Sequence, residues 1–212
     1  MPVAHSVLEK EYSAAFAWLT AGVVTVLSFV AWAANYQWHL WPLSTYQLFP
    51  LLGLMAFSIM WTHYVVGAMQ AIWPVDASAA KQYFRITGYL VLVLICLHPG
   101  LLIYQRFKDG FGLPPHSYET YVAPGLGWVT ILGTGSLLVF LAFELHRFFD
   151  KQSWWHYVVN ASDVAMLAIV YHGLRLGSTV HQGWFRTVWI FYGITLSVAL
   201  MCKYLGRIRA HV

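Results

Sequence analysis

The chain has 212 residues, of which 59% are hydrophobic and only 9% charged, with a mean hydropathy of +0.61 and a formal net charge of +4. Soluble domains carry about a quarter charged residues, so this composition excludes a soluble globular protein and makes the bilayer the expected solvent. The basic residues are scattered along the chain instead of gathering on one face, which argues against a nucleic-acid partner.

Six apolar stretches follow one another, at roughly 14–34, 46–72, 86–107, 125–148, 155–177 and 184–205. A helix needs about 20 apolar residues to cross the hydrocarbon, and in lipid an open strand would leave its backbone groups unpaired. The expected fold is therefore all-α: a six-helix transmembrane bundle forming a single integral membrane domain over residues 1–212. The first stretch is longer than a signal-peptide core and no small-residue cleavage pattern follows it, so it reads as a retained helix.

Lys81 and Arg85 lie in the second connection, Arg147 and Lys151 in the fourth, and Lys203, Arg207 and Arg209 in the tail. The positive-inside rule places these on the cytoplasmic side, and with them both termini. Trp38, Trp41, Trp73, Trp154, Trp155 and Trp184 fall at expected helix ends, as interfacial anchors do. The longest connection, Lys108 to Pro124, is rich in Gly, Pro and Tyr and reads either as a plain surface loop or as a lid over the outer face. Cys96 and Cys202 sit in separate apolar stretches without C-x-x-C spacing, so they read as buried fillers and not as a disulfide or a thiolate metal site.

Function must then come from the few polar groups inside the spans. His98 lies in ITGYLVLVLICLHPGLLIYQRF and His172 in VAMLAIVYHGLRLG, on the third and fifth stretches, which run in the same direction if the spans alternate. At about 1.5 Å of rise per residue, His98 is about 20 Å from Arg85 and His172 about 23 Å from Tyr157, so the two can meet at one depth. Two neutral imidazoles facing each other across a planar macrocycle are what a six-coordinate haem iron requires. Pro99, Gly100 and Gly173 reduce donors or bulk near the two rings, leaving room for a porphyrin edge. The plainer reading of either histidine alone is a hydrogen bond to a neighbouring helix. Arg106 and Arg175 are candidate partners of haem propionates, with helix-end anchoring as the alternative.

His156, Asn160 and Asp163 share one helix face by i, i+4, i+7 spacing, while the nine steps from Asp163 put His172 on the opposite face. Asp163 reads as a polar clamp to another helix or as a proton-uptake group in quinone chemistry. His39, His116 and His181 fall one on each outer connection, with Tyr118, Glu119 and Tyr121 near the second. They are either independent surface histidines or a docking site for a reducible iron or copper ion. No G-x-G-x-x-G follows a strand, so no flavin or nicotinamide domain is expected. Gly133-Thr134-Gly135 lies inside a span, where small residues let helices approach.

The stretch YFRITGYLVLVLICLHPGLLI resembles the third helix of the ferric reductase-like transmembrane domain family. That family is the membrane core of ferric reductases, NADPH oxidases and the haem subunit of periplasmic methionine sulfoxide reductase systems. WWHYVVNASDVAMLAIVYHGLRLG is similar to its fifth helix. The resemblance implies haem b at an outer site held by His98 and His172. The family's inner ligand pair would fall at Phe84 and at Val158 or Val159, none of which ligates iron, so one haem is expected. His63 and His156 are the candidates for an unconventional inner site and a second haem.

The resulting expectation is a b-type transmembrane electron-transfer protein, the membrane component of an oxidoreductase, in a bacterial inner membrane. Its donor would be a separate flavoprotein reductase or a membrane quinol, and its acceptor a periplasmic redox partner or a metal ion on the outer side. Two other readings stand beside it: a proton or substrate transporter using His63, His98, Asp163 and His172, and a haem-free scaffolding subunit.

Overall fold

A computed structural model describes residues 3–70, 77–181 and 183–210. Among them the chain is helical throughout, with nine helices joined by turns: α1 Val3–Asn35, α2 Thr45–Gln70, α3 Ala77–Lys108, α4 His116–Glu119, α5 Gly127–Phe143, α6 His146–Phe149, α7 Trp155–Leu176, α8 Ser178–His181 and α9 Trp184–Ala210. Five of these contain segments long and apolar enough to cross a membrane: Ala15–Asn35, Thr45–Met69, Ala80–Lys108, Trp155–Leu176 and Trp184–Gly206.

The fourth expected stretch, 125–148, behaves differently. Helix α5 is apolar but stops at Phe143, and the chain turns at Glu144 and Leu145 before the single turn of α6. At 1.5 Å per residue its 17 residues span about 25 Å, short of the hydrocarbon thickness of about 30 Å. Polar Glu144 and His146 end the run because they compete for solvent where the sequence alone shows only an apolar average.

Helix contacts define direction. Trp32 near the end of α1 donates its indole N–H to the Gln47 carbonyl at the start of α2, at 2.7 Å. Trp18 of α1 packs edge-on against Tyr83 near the start of α3, with centroids 5.2 Å apart. Trp189 at the start of α9 reaches the Val170 carbonyl late in α7, at 3.0 Å. The apolar helices thus alternate, with α1, α3 and α7 running one way and α2, α5 and α9 the other. Two hairpins carry the most extensive packing, α2 with α3 and α5 with α7, and α9 lies against both α2 and α7.

Lipid tails offer helices no hydrophobic drive to associate, so association rests on close packing and interhelical hydrogen bonds. The seam is aromatic: Phe57 of α2 packs at a tilt against Trp189, ring centroids 4.4 Å apart, and Trp61 against Tyr192 at 4.5 Å. Polar ties reinforce it. Trp61 donates to Thr195 Oγ1 at 2.9 Å, and the fully buried Ser28 and Ser58 hydroxyls join α1 to α2 at 2.8 Å. Cys96 and Cys202, expected to be buried, are both exposed on helix faces; in lipid such faces are apolar surroundings, so burial inside the protein is not required. Of the expected anchors, Trp38, Trp41, Trp154 and Trp184 are exposed and Trp155 is buried; Trp73 lies outside the described residues.

At the end that holds the chain termini, Asp163 of α7 is buried and takes both oxygens to Lys203 of α9, at 2.9 and 2.6 Å, while the Tyr204 hydroxyl donates to Oδ2 at 2.8 Å. Asp163 is therefore a clamp between α7 and α9. Breaking a buried ion pair costs roughly 3–5 kcal/mol, but the Lys203 side chain is 32% exposed and can turn to the interface. Asp163→Ala is expected to cost about 1–3 kcal/mol, read as a lower thermal midpoint in detergent, with part of the loss recovered in Asp163→Ala/Lys203→Met.

Candidate functional site

His98 and His172 are held in the same way by two different hairpins. In the first, His98 Nδ1 is 2.7 Å from the Phe49 carbonyl of α2. In the second, His172 Nδ1 is 2.9 Å from the Val129 carbonyl of α5. A carbonyl has no proton to give, so in each ring Nδ1 carries the hydrogen and donates it. The neutral imidazole then keeps its lone pair on Nε2. Neither Nε2 has a hydrogen-bond partner among the described residues.

A glycine lies under each ring. A Cβ placed on Gly53 would stand 2.7 Å from His98 Cε1, and one placed on Gly133 would stand 2.6 Å from His172 Cε1. Gly100 and Gly173, adjacent in sequence to the histidines, do not play this part: nothing lies within 4 Å of a Cβ at Gly100, and Gly173 accommodates the Trp189 indole. Both histidines are half-buried. Helices α3 and α7, which carry them, are not among the closely packed pairs.

Arg106 lies two turns beyond His98 and is 6% exposed. Its Nη2 donates to Thr120 Oγ1, its guanidinium carbon sits 3.5 Å above the Phe111 ring centre, and Nε is buried without a partner. The connection between α3 and α5 therefore folds back over this cation. Beside it, Tyr46 and Gln105 donate to Asp109 at 2.6 and 2.8 Å, and these bonds hold the Asp109 carboxyl below the usual carboxylate range. Arg175 is exposed.

The other candidates are placed apart. His63 Nε2 bonds to Thr87 Oγ1 at 2.7 Å and its ring meets Tyr83 and Phe84 of α3. His156 is exposed, with Nδ1 on the Ser153 carbonyl at 2.6 Å and its ring against Tyr157. No hydrogen bond or ring contact between His63 and His156 occurs among the described residues. His39, His116 and His181 are all exposed, His116 lying 3.8 Å from Glu119. No group of three or more His, Cys, Asp or Glu suited to a metal ion is gathered among the described residues. Asp163 bonds to Lys203 and Tyr204 and not to His172.

The carbonyls of Phe49 and Val129 and the glycines four residues later were not expected from sequence. Gly133 was noticed only as a small residue in a span; what marks both positions is a glycine that the helix itself does not require. Comparison with family models, with curated proteins and with solved structures finds no match for this chain.

Arg106 is the main tie between α3 and the following connection. A hydrogen bond from a charged donor contributes roughly 1.5–3 kcal/mol and a cation–π contact about 0.5–2 kcal/mol. Arg106→Ala is expected to raise the rate of limited proteolysis within 109–126 by about tenfold or more, given roughly 1.4 kcal/mol per tenfold. Arg106→Lys, which lacks the planar fork, should restore only part of the protection.

Proposed function

We propose that the protein is a membrane-embedded b-type cytochrome whose His98 and His172 are the axial ligands of one haem. The observation that supports this best is the twin arrangement of the imidazoles: Nδ1–H committed to a helix carbonyl in each, and Nε2 left with its lone pair and no protein partner. Ligating histidines in metalloproteins commonly donate their second nitrogen to a carbonyl or carboxylate, which fixes the tautomer and raises ligand basicity. A histidine serving only to join helices has no need of a free Nε2.

On this reading all six apolar helices cross the membrane, α5 by a short path, with the termini and the basic connections in the cytoplasm of a bacterial inner membrane. A haem held by His98 and His172 would supply one-electron redox chemistry. The chain's own part is different. Phe49 and Val129 hold the two rings, the apolar bundle keeps water and stray ligands from them, and Arg106 places a buried positive charge toward the connection-rich end, suited to a propionate. Electrons would enter from a separate flavoprotein or a membrane quinol and leave to a metal ion or redox partner on the far side. The resemblance to the ferric reductase-like family agrees with this assignment.

A transporter path through His63, His98, Asp163 and His172 draws less support, because Asp163 is engaged by Lys203 and His63 by Thr87. The test is an absorption spectrum of the purified protein, oxidised and dithionite-reduced, with pyridine haemochrome quantitation. One haem b per chain and a low-spin reduced spectrum are expected, with either His98→Ala or His172→Ala losing that spectrum. A colourless protein, or full spectra in both variants, would remove the assignment and leave the transporter or a haem-free scaffold.

A further inference from the structure

We infer that Gly53 and Gly133 are positioning residues: each is the seat that lets an intramembrane imidazole share a helix carbonyl, and together they set the orientation and basicity of His98 and His172. This rests on the haem reading above for its redox consequences, but the seats themselves are a property of the chain.

The argument starts from helix geometry. A carbonyl at position i points along the helix axis toward the N–H of residue i+4, to which it is bonded. Its second lone pair remains for an outside donor. A ring that approaches this lone pair from the side must lie over residue i+4, and there any side chain would meet it. In both hairpins the acceptor and the glycine are four residues apart, Phe49 with Gly53 and Val129 with Gly133.

The clearance leaves no room for even a methyl group. At Gly53 a Cβ would lie 2.7 Å from Cε1, 2.8 Å from Nδ1 and 3.2 Å from Nε2 of His98; at Gly133 the distances to the same atoms of His172 are 2.6, 2.7 and 3.4 Å. The obstructed atoms belong to a rigid ring anchored at Nδ1, not to a flexible chain end, so relief requires the ring to leave its carbonyl. The displaced imidazole then loses both its tautomeric bias and its aim. By contrast a Cβ at Gly135, on the same helix as Gly133, meets nothing within 4 Å.

A related seat holds an indole, where Trp189 donates to the Val170 carbonyl over Gly173, but that ring has no second nitrogen to leave free, as each imidazole does. Ordinary close packing looks different, as at Gly193, where a Cβ would meet only the Val170 side-chain methyl at 3.0 Å. Here the contacted atoms are those of the two rings that the functional reading singles out.

The tests separate the seats from the cofactor. In haem-free protein with ¹⁵N-labelled histidine, His98 and His172 should each show an unprotonated Nε2; Gly53→Ala should shift the His98 signals alone, Gly133→Ala the His172 signals alone, and Gly135→Ala neither. In haem-loaded protein the two seat variants should lower haem affinity by about 10–100-fold, the range for lost support of a metal-bound histidine. Their midpoint potential should rise, because a less basic imidazole stabilises ferric iron less. Variants with unchanged nitrogen signals, affinity and potential would overturn the inference. If Gly53→Ala does not fold, the His98→Ala background removes the collision: added imidazole should restore the low-spin spectrum in His98→Ala and not in His98→Ala/Gly53→Ala, and equal restoration would overturn the inference. Wild-type protein that takes up no haem would sink the functional reading, while the nitrogen signals would still decide the seats.

Discussion

In a medium without water an imidazole N–H has to find its acceptor within the protein, and that requirement organises the centre of this bundle. A helix has only one kind of acceptor to spare, the second lone pair of a carbonyl already bonded along the axis. His98 takes it from Phe49 and His172 from Val129, and in each case the approach is open because the residue one turn on has no side chain. The same bond that joins α3 to α2 and α7 to α5 settles which nitrogen carries the proton. Helix association and the chemical state of the rings are therefore one constraint, seen from the two ends of each imidazole.

The remaining packing keeps the two hairpins together without pressing their histidine-bearing helices into contact. Helix α9 is the joint: Trp189 and Tyr192 pack on Phe57 and Trp61 of α2, while the Trp189 indole bonds to α7. At the opposite end of α9 the Asp163–Lys203 pair holds α7 again. Fastening at both ends through a third helix fixes the relative placement of α2/α3 and α5/α7 while α3 and α7 stay apart.

Much of this architecture is legible in the sequence because the bilayer is a severe solvent. Long apolar runs bounded by Trp, Lys and Arg can be little else than helices, and the observed ends of α2, α7 and α9 fall within a few residues of expectation. Glu144 and His146 read from sequence as the polar end of the fourth span, but the stop at Phe143 falls five residues short of the expected 148 because the average hydropathy of the run stays apolar beyond the turn. The histidines stand out as polar groups deep in apolar stretches, but their supports do not. A backbone carbonyl has no sequence identity, and Gly53 differs from other glycines only in what lies beside it once α2 and α3 have packed. Equally, the proximity of Gly100 and Gly173 to the histidines along the chain misled, because neighbours in a helix point in directions about 100° apart.

The opposite half of the bundle shows why a second, similar site does not follow from the first. At the depth of Phe84 the space between α1, α2 and α3 is already filled: Tyr83 is fully buried and bonded to Thr62, Trp18 closes on its face, and His63 is turned to Thr87 between the rings of Tyr83 and Phe84. Here the histidine spends Nε2 on a hydroxyl, where His98 and His172 keep theirs free. His63 also sits on α2, the helix that offers the carbonyl to His98. The difference between an imidazole that braces a bundle and one that can bind a metal is thus which nitrogen the neighbouring helix engages: Nε2 in His63, Nδ1 in His98 and His172.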